Sequence, residues 1–402
     1  MRPFFKDDGF NFLTEIALGS VYRQAADVGE VLTTVDRIHD GKAWSWVDEW
    51  MATADRLAHE AAASARAGHT CSAAGRYLRA SLYYSLATYS ADGTGDPALF
   101  ASLWEQHRAA WDQFVDLGVL GGAVAERIEI PYEDTTLPGY FFRSGAADEP
   151  RRTLIFNNGS DGSVVGAWTD GIVGALARGW NAMTFDGPGQ NAALVRQGLP
   201  FRPDWEKVIT PVVDSLSARA DADVRKLALL GVSQAGYWVP RALAFEHRIA
   251  AGVADPGVVD VSTTVLGHLP HMMIELLETG EREKFNRDME WTLKFSPSTR
   301  SMLALRMRPY GVSTPYEFFS ACRDYVLTDE LIAQITSPVL VTSPDNEQFW
   351  PGQSRELFDK LTGRKAIIAF TEAEGADSHC EPAGSGIRGE RIFDWLDEQV
   401  PG

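Results

Sequence analysis

The spacing of apolar residues changes once along this chain, near residue 120. Before that point the apolar positions recur at steps of three and four. Trp46, Val47, Trp50, Met51 and Ala54 make one stripe, and Tyr77, Leu78, Leu82, Leu86 and Tyr89 a second. The run from Asp92 to Pro97 interrupts the second stripe, and residues 98–117 resume it. This period predicts amphipathic helices packed on one another. Beyond Gly121 and Gly122, residues 127–132 and 137–143 alternate apolar with polar, which predicts an antiparallel hairpin. Then come short unbroken apolar runs at 153–156, 182–185, 227–230, 249–253, 339–341 and 366–369. Such runs suit a parallel sheet covered by helices on both faces, with helices between the strands. Thr210 followed by Pro211 reads as an N-cap with proline at the first helical position. The stretch between 253 and 339 is too long for a bare loop. Helical periods around 272–283, 288–294 and 316–321 make it a helical insertion, at about 257–335, expected to lie over the carboxyl edge of the sheet as a lid. The expected organisation is a helical segment over 1–122 and an α/β core over 123–402.

Composition narrows the partners. The chain has 402 residues, 45% of them hydrophobic and 23% charged, enough to bury a substantial core. A net charge of −18 and a pI near 4.9 argue against nucleic acid and anionic membrane, which require a basic face. Cys71, Cys322 and Cys380 are odd in number, far apart and without metal-ligand spacing, so neither a disulfide framework nor a metal site is expected. No leader and no apolar run of membrane-spanning length stands out, which leads to the expectation of a soluble, cytoplasmic protein.

The candidate chemistry centres on Gly231-Val232-Ser233-Gln234-Ala235-Gly236. An apolar strand precedes this hexapeptide and a helical pattern follows it, the context of a nucleophile elbow. Such a turn needs small residues two before and two after the nucleophile, and Gly231 and Ala235 supply them. Ser233 would then stand at the carboxyl edge of the sheet, with the Gln234 N–H free to bind an oxyanion. The competing reading is an ordinary glycine-rich strand-to-helix loop.

A serine hydroxyl needs a base, and the base an orienting acid. After Ser233 stand His247, His268, His271 and His379. His247 ends the helix that begins at the elbow, His268 and His271 fall in the insertion, and His379 follows the last strand at the correct edge. The acid lies among Glu347, Asp345 and Asp255. In related hydrolases this segment commonly reads strand, Gly-x-x-Asp, two apolar residues and Pro. The likeness, aligned on Pro338 and Pro351, puts Glu347 at the acid position; Asp345 has the commoner side chain two residues early, and Asp255 ends the preceding strand. The loop Asn157-Asn158-Gly159-Ser160-Asp161-Gly162 should bring the Ser160 N–H as second oxyanion donor. Asp161 and Tyr237 are candidates to line the site. Phe185-Asp186-Gly187-Pro188-Gly189-Gln190 lacks the lysine and spacing of a phosphate loop and reads as active-site rim. Tyr83, Tyr84, Trp104 and Trp111 fit either an aromatic pocket or helix packing.

With these residues in place the chain resembles the α/β hydrolases that carry an N-terminal helical cap. That family includes a fungal polyketide-shortening hydrolase and bacterial dihydroxypseudooxynicotine hydrolase, both carbon–carbon bond hydrolases. The likeness spans nearly the whole chain: the helical start, residues 157–162, the Asp-Gly-Pro-Gly-Gln run at 186–190, the elbow, Glu347 to Pro351, and His379-Cys380. It implies a cofactor-free triad on Ser233, Glu347 and His379, with glutamate where characterised relatives have aspartate. The implied reaction is hydrolysis of a carbon–carbon bond next to a carbonyl in a small aromatic or polyketide-like substrate of secondary metabolism. A carboxylesterase is the alternative, and an acyltransferase, a lyase or a binding protein on the same scaffold are further ones. A homodimer is the candidate assembly.

Overall fold

The computed structural model describes residues 3–145 and 149–402. Its centre is an eight-stranded sheet built from β1 (Val124–Tyr132), β2 (Thr135–Arg143), β3 (Arg151–Asn157), β4 (Asn181–Phe185), β5 (Ala222–Val232), β6 (Ile249–Asp255), β7 (Val339–Pro344) and β8 (Lys365–Phe370). The strand order is β1-β2-β4-β3-β5-β6-β7-β8. β1 and β2 form an antiparallel hairpin, β2 runs antiparallel to β4, and β3 to β8 are parallel. The unbroken apolar runs are explained by burial on both faces. Leu227 and Leu229 enter the core under one face, while Ala228 and Leu230 enter the core under the other. Because β4 lies outside β3, the chain crosses back over β3 to lay β5 beside it. The loops after β3 and β5 therefore meet at the carboxyl edge, the usual position for a site in an open α/β sheet.

The amino-terminal segment is helical, with α1 (Asp8–Gly19), α2 (Val28–Val35), α3 (Ala43–Arg66), α4 (Thr70–Thr88) and α5 (Leu99–Asp116). Its apolar face is continuous with one face of the sheet: Trp111 of α5 stacks edge-on against Tyr140 and lies within ring contact of Phe142 and Trp168. Tyr83, Tyr84, Trp104 and Trp111 are all buried, so helix packing is the reading the structure takes for them. Between β6 and β7 the insertion contains helices His271–Glu278, Arg282–Phe295, Pro297–Met307 and Pro315–Cys322. It has a small core of its own, around Phe285, Leu277, Phe318 and Phe319.

One helix start differs from expectation. Thr210 is no N-cap: the helix runs Glu206–Ser217 and Pro211 lies inside it. The turn begins earlier, with Lys207 N–H donating to Asp204 O and Ile209 N–H to Trp205 O, each at 3.0 Å. Burial of Val208, Ile209, Val212, Val213 and Leu216 outweighs the one hydrogen bond that proline forfeits there.

Candidate active site

β5 ends at Val232 and the chain turns sharply into the helix Ala235–Leu243. Ser233 occupies the turn at φ 58°, left-handed backbone that costs a non-glycine residue on the order of 1–3 kcal/mol and is held only by its surroundings. Those surroundings are specific. The Ser233 N–H donates to Asp255 O at 2.6 Å, and the Gly236 N–H donates back to Ser233 O at 2.8 Å. A Cβ on Gly231 would lie 2.7 Å from the Ala235 Cβ, and one on Gly236 would lie 1.8 Å from Pro256 O. Strand, helix and the loop after β6 approach so closely that both positions require glycine, whereas the alanine at 235 fits. The Gln234 N–H has no acceptor among the described residues.

The loops after β7 and β8 bring the other two groups to Ser233. His379 Nε2 stands 2.9 Å from Ser233 Oγ. On its other side, His379 Nδ1 lies 2.9 Å and 2.8 Å from Glu347 Oε1 and Oε2. Neighbouring bonds join the two loops: the His379 N–H donates to Gln348 Oε1 at 2.9 Å, and the Asn346 amide donates to Asp377. Burial pushes the Glu347 carboxyl up. The attraction of His379, its hydrogen bond and the N–H groups of Phe349 and Trp350 outweigh that, so the net position is below the ordinary carboxylate value. The imidazole is buried and ringed by aromatics: Phe349 at 4.6 Å, Trp350 at 5.7 Å and, from α1, Phe12 at 6.1 Å between ring centroids. The structure brings Ser233, His379 and Glu347 into one hydrogen-bonded chain.

The other acids and histidines stand elsewhere. Asp345 is exposed; its backbone N–H donates to Phe370 O at 2.9 Å, and its carboxylate has no hydrogen-bond partner among the described residues. Asp255 is fully buried beneath the elbow, where its carboxylate accepts from Thr342 Oγ1 and Arg388 Nε, each at 2.6 Å. Beside it, burial and then the Asp255 charge push the Glu381 carboxyl well above the usual range. His247, His268 and His271 are exposed.

The loop after β3 lies against the nucleophile. A Cβ on Gly159 would meet Ser233 Cβ at 2.6 Å, Val232 O at 2.8 Å and Ser233 Oγ at 3.2 Å. The Ser160 N–H, like that of Gln234, has no acceptor among the described residues. Asp161 anchors helices. Its carboxylate accepts from Arg306 of the inserted helix at 2.9 Å, and its carbonyl accepts from Tyr89 Oη at 3.0 Å. Tyr237 does not line the site. It is fully buried and donates its hydroxyl to Pro203 O at 3.0 Å, because the first turn of the elbow helix points that side chain into the core under the sheet.

Sequence reasoning missed Phe12, Arg306 and Arg388. Arg306 donates to Ser160 Oγ at 3.1 Å and lies 6.0 Å from the Phe349 ring, so it spans from the loop at the nucleophile to the aromatic over the imidazole. Next to it, Arg308 pairs with Asp92, which joins the insertion to the amino-terminal helices. No local pattern marks these residues, since each becomes relevant only through contacts with residues distant in sequence.

A strained serine at a strand-to-helix turn, a buried imidazole bridging it to a carboxylate and two free N–H groups beside it, on this sheet, define an α/β hydrolase. The comparisons agree. Hydrolase acrC of Aspergillus aculeatus is 30% identical over 427 residues, covering 99% of this chain and 98% of its own. The 20-hydroxy-prefusarin hydrolase FUS2 of Gibberella moniliformis is 28% identical over 418 residues, with coverage of 99% and 98%. Among solved structures, 2,6-dihydroxy-pseudo-oxynicotine hydrolase superimposes with a TM-score of 0.73 at 20% identity, over 95% of both chains, which shows a shared fold. No family model matches. The chain belongs to the α/β-hydrolase family and is an enzyme of that family.

Proposed function

We propose that this enzyme hydrolyses a carbon–carbon bond next to a carbonyl in an aromatic or polyketide-like ketone of secondary metabolism, with Ser233 as nucleophile, His379 as base and Glu347 as orienting acid. The observation that carries the triad is the continuous chain from Ser233 Oγ through His379 to Glu347. Ser233 Oγ attacks the carbonyl carbon as His379 Nε2 takes its proton, and the N–H groups of Gln234 and Ser160 hold the oxyanion. The bond to the α-carbon then breaks, and its electron pair leaves as an enolate, which His379 reprotonates on carbon. Water, activated by the same imidazole, releases the acyl group from Ser233.

Three features favour carbon over an alcohol as leaving group. Phe12 and Phe349 give an aromatic wall beside the imidazole, suited to a conjugated ring. Arg306 sets a cation next to the oxyanion loop, where the enolate oxygen develops charge. The Arg308–Asp92 and Arg306–Asp161 pairs tie the insertion over the site, which limits water while the enolate is protonated. The relative named for 20-hydroxy-prefusarin also acts as a hydrolase on a small molecule. The reading treats residues 1–122 as a helical cap on the core and assigns the enzyme to the cytoplasm; no helix among the described residues is long and apolar enough to cross a membrane.

The test is to give the purified enzyme matched aryl β-diketones and aryl esters and to compare kcat/KM by mass spectrometry of the products. A fluorophosphonate probe is added in parallel, with Ser233→Ala as control. Diketone cleavage, with labelling confined to Ser233, is expected. Broad ester turnover without diketone cleavage would leave a carboxylesterase, and undiminished labelling of Ser233→Ala would remove the triad.

A further inference from the structure

The rim loop at 185–190 has no place in the mechanism above, yet its last side chain reaches the centre of the site. Gln190 is buried, and both ends of its carboxamide are hydrogen-bonded to backbone. Its Oε1 accepts the Gly187 N–H at 3.1 Å, which fixes which way the amide faces. Its Nε2 donates to Asn158 O and Gly159 O, each at 2.7 Å. The turn is shaped for this reach. A Cβ on Gly187 would lie 2.9 Å from Gln190 Oε1, and Gly189 has φ 79° with Phe201 packed where a Cβ would stand. The loop is itself anchored, since Asp186 accepts from Arg108 of α5 at 2.6 Å in a buried pair.

A trans peptide is planar, so its C=O and its N–H point in opposite directions. Holding Asn158 O and Gly159 O therefore sets the directions of the Gly159 and Ser160 N–H groups. Neither N–H has an acceptor among the described residues, and Gly159 is the residue pressed against Ser233. We propose that Gln190 is the positioning residue of the oxyanion site: by gripping two successive carbonyls from behind, it aims the loop's N–H groups at the oxygen that becomes negative when Ser233 attacks. Asn157 Nδ2, which also donates to Asn158 O at 2.8 Å, supports one of the two carbonyls, while among the described residues Gln190 alone donates to the Gly159 carbonyl that sets the Ser160 N–H. This inference rests on the serine-hydrolase reading above.

The readout is the second-order rate of phosphonylation of Ser233 by a fluorophosphonate, whose P–O oxygen uses the same donors, measured against pH. Gln190→Met keeps the length and removes both donations. It should label about 10- to 100-fold more slowly, the order expected when an oxyanion donor is displaced by about an ångström. The pH at which the rate inflects should stay at the wild-type value, because Gln190 does not touch His379. Gln190→Glu keeps an acceptor for Gly187 but sets a carboxylate oxygen against the two carbonyls, and should slow labelling at least as much. A folded variant that labels at the wild-type rate overturns the proposal, and so does a Gln190→Met inflection that moves with the rate, since the residue would then act through the triad. If Gln190→Met fails to fold, Gln190→Glu decides by the rate, since its added charge can itself move the inflection. Absence of labelling in the wild type, or labelling that survives Ser233→Ala, would instead refute the hydrolase reading, and this inference with it.

Discussion

Replacing Glu347 by glutamine tests how the acid works, because the structure dictates which way the new amide must face. Glu347 Oε1 accepts the Phe349 N–H at 2.9 Å and the Trp350 N–H at 3.1 Å. In the variant the amide oxygen has to keep that side, since an NH2 there would oppose two backbone donors in a buried place. The amide nitrogen then takes the position of Oε2, 2.8 Å from His379 Nδ1. The retained amide oxygen still lies 2.9 Å from Nδ1. The closer NH2, however, donates toward that nitrogen and favours the tautomer whose proton sits on Nε2 and points at Ser233 Oγ. A base in that tautomer cannot take the serine proton. Loss of function by this route costs about 10⁴-fold in well-studied triads, or roughly 5.4 kcal/mol in the barrier. Asp345→Asn, at an exposed carboxylate away from the imidazole, should stay within about twofold. Both variants are assayed by the rate of Ser233 phosphonylation and by kcat/KM on an aryl ester. A loss below tenfold for Glu347→Gln, or a larger loss for Asp345→Asn, would refute the argument.

Gly159→Ala puts a methyl group 2.6 Å from Ser233 Cβ and 2.8 Å from Val232 O, so the loop must retreat. Phosphonylation should slow about 100-fold, with about 1–3 kcal/mol of destabilisation by overpacking in a melt; wild-type labelling would contradict the close approach. Arg306→Gln removes a part-exposed ion pair that contributes about 0–1 kcal/mol, so thermal stability should hardly change. Turnover of an aryl β-diketone should nevertheless fall about 10- to 100-fold while that of an aryl ester holds, on the scale of a charge-assisted hydrogen bond; equal losses on both would end the enolate role. Glu347 has a folded pKa below its ordinary value of 4.5, so its linked stability is fully present above that value and is lost as pH falls through the folded pKa. The melting temperature of the wild type relative to Glu347→Gln should therefore drop as pH falls below about 4.5, and a difference independent of pH would show that the carboxylate gains nothing on folding.

The parts that could be read from the chain are those whose cause is local. The parallel strands announced themselves because burial on both faces leaves no polar positions, as at 227–230. The elbow did so because its tight turn restricts residue size within six positions, and Gly231, Ala235 and Gly236 meet the atoms that impose this. His379 followed from chain order, and Glu347 from aligning its strand and loop with the pattern of related hydrolases on Pro338, before β7, and Pro351, after the loop. What the tertiary structure decided are properties of neighbours far apart in sequence. Pro211 sits inside a helix because the buried face beneath it outweighs one missing bond. Tyr237 points into the core because the helix phase, set by packing, turns it there. Asp255, a plausible acid by position, is bound by Arg388 from the closing helix, and Asp161 holds Arg306 from an insertion about 145 residues on. Gln190 touches the oxyanion loop because the strand order places β4 outside β3 and brings its loop back against the loop of β3. A local turn restricts which residues can occupy it, whereas a contact between distant loops restricts only the pair, and one chain read alone does not show which residues are paired.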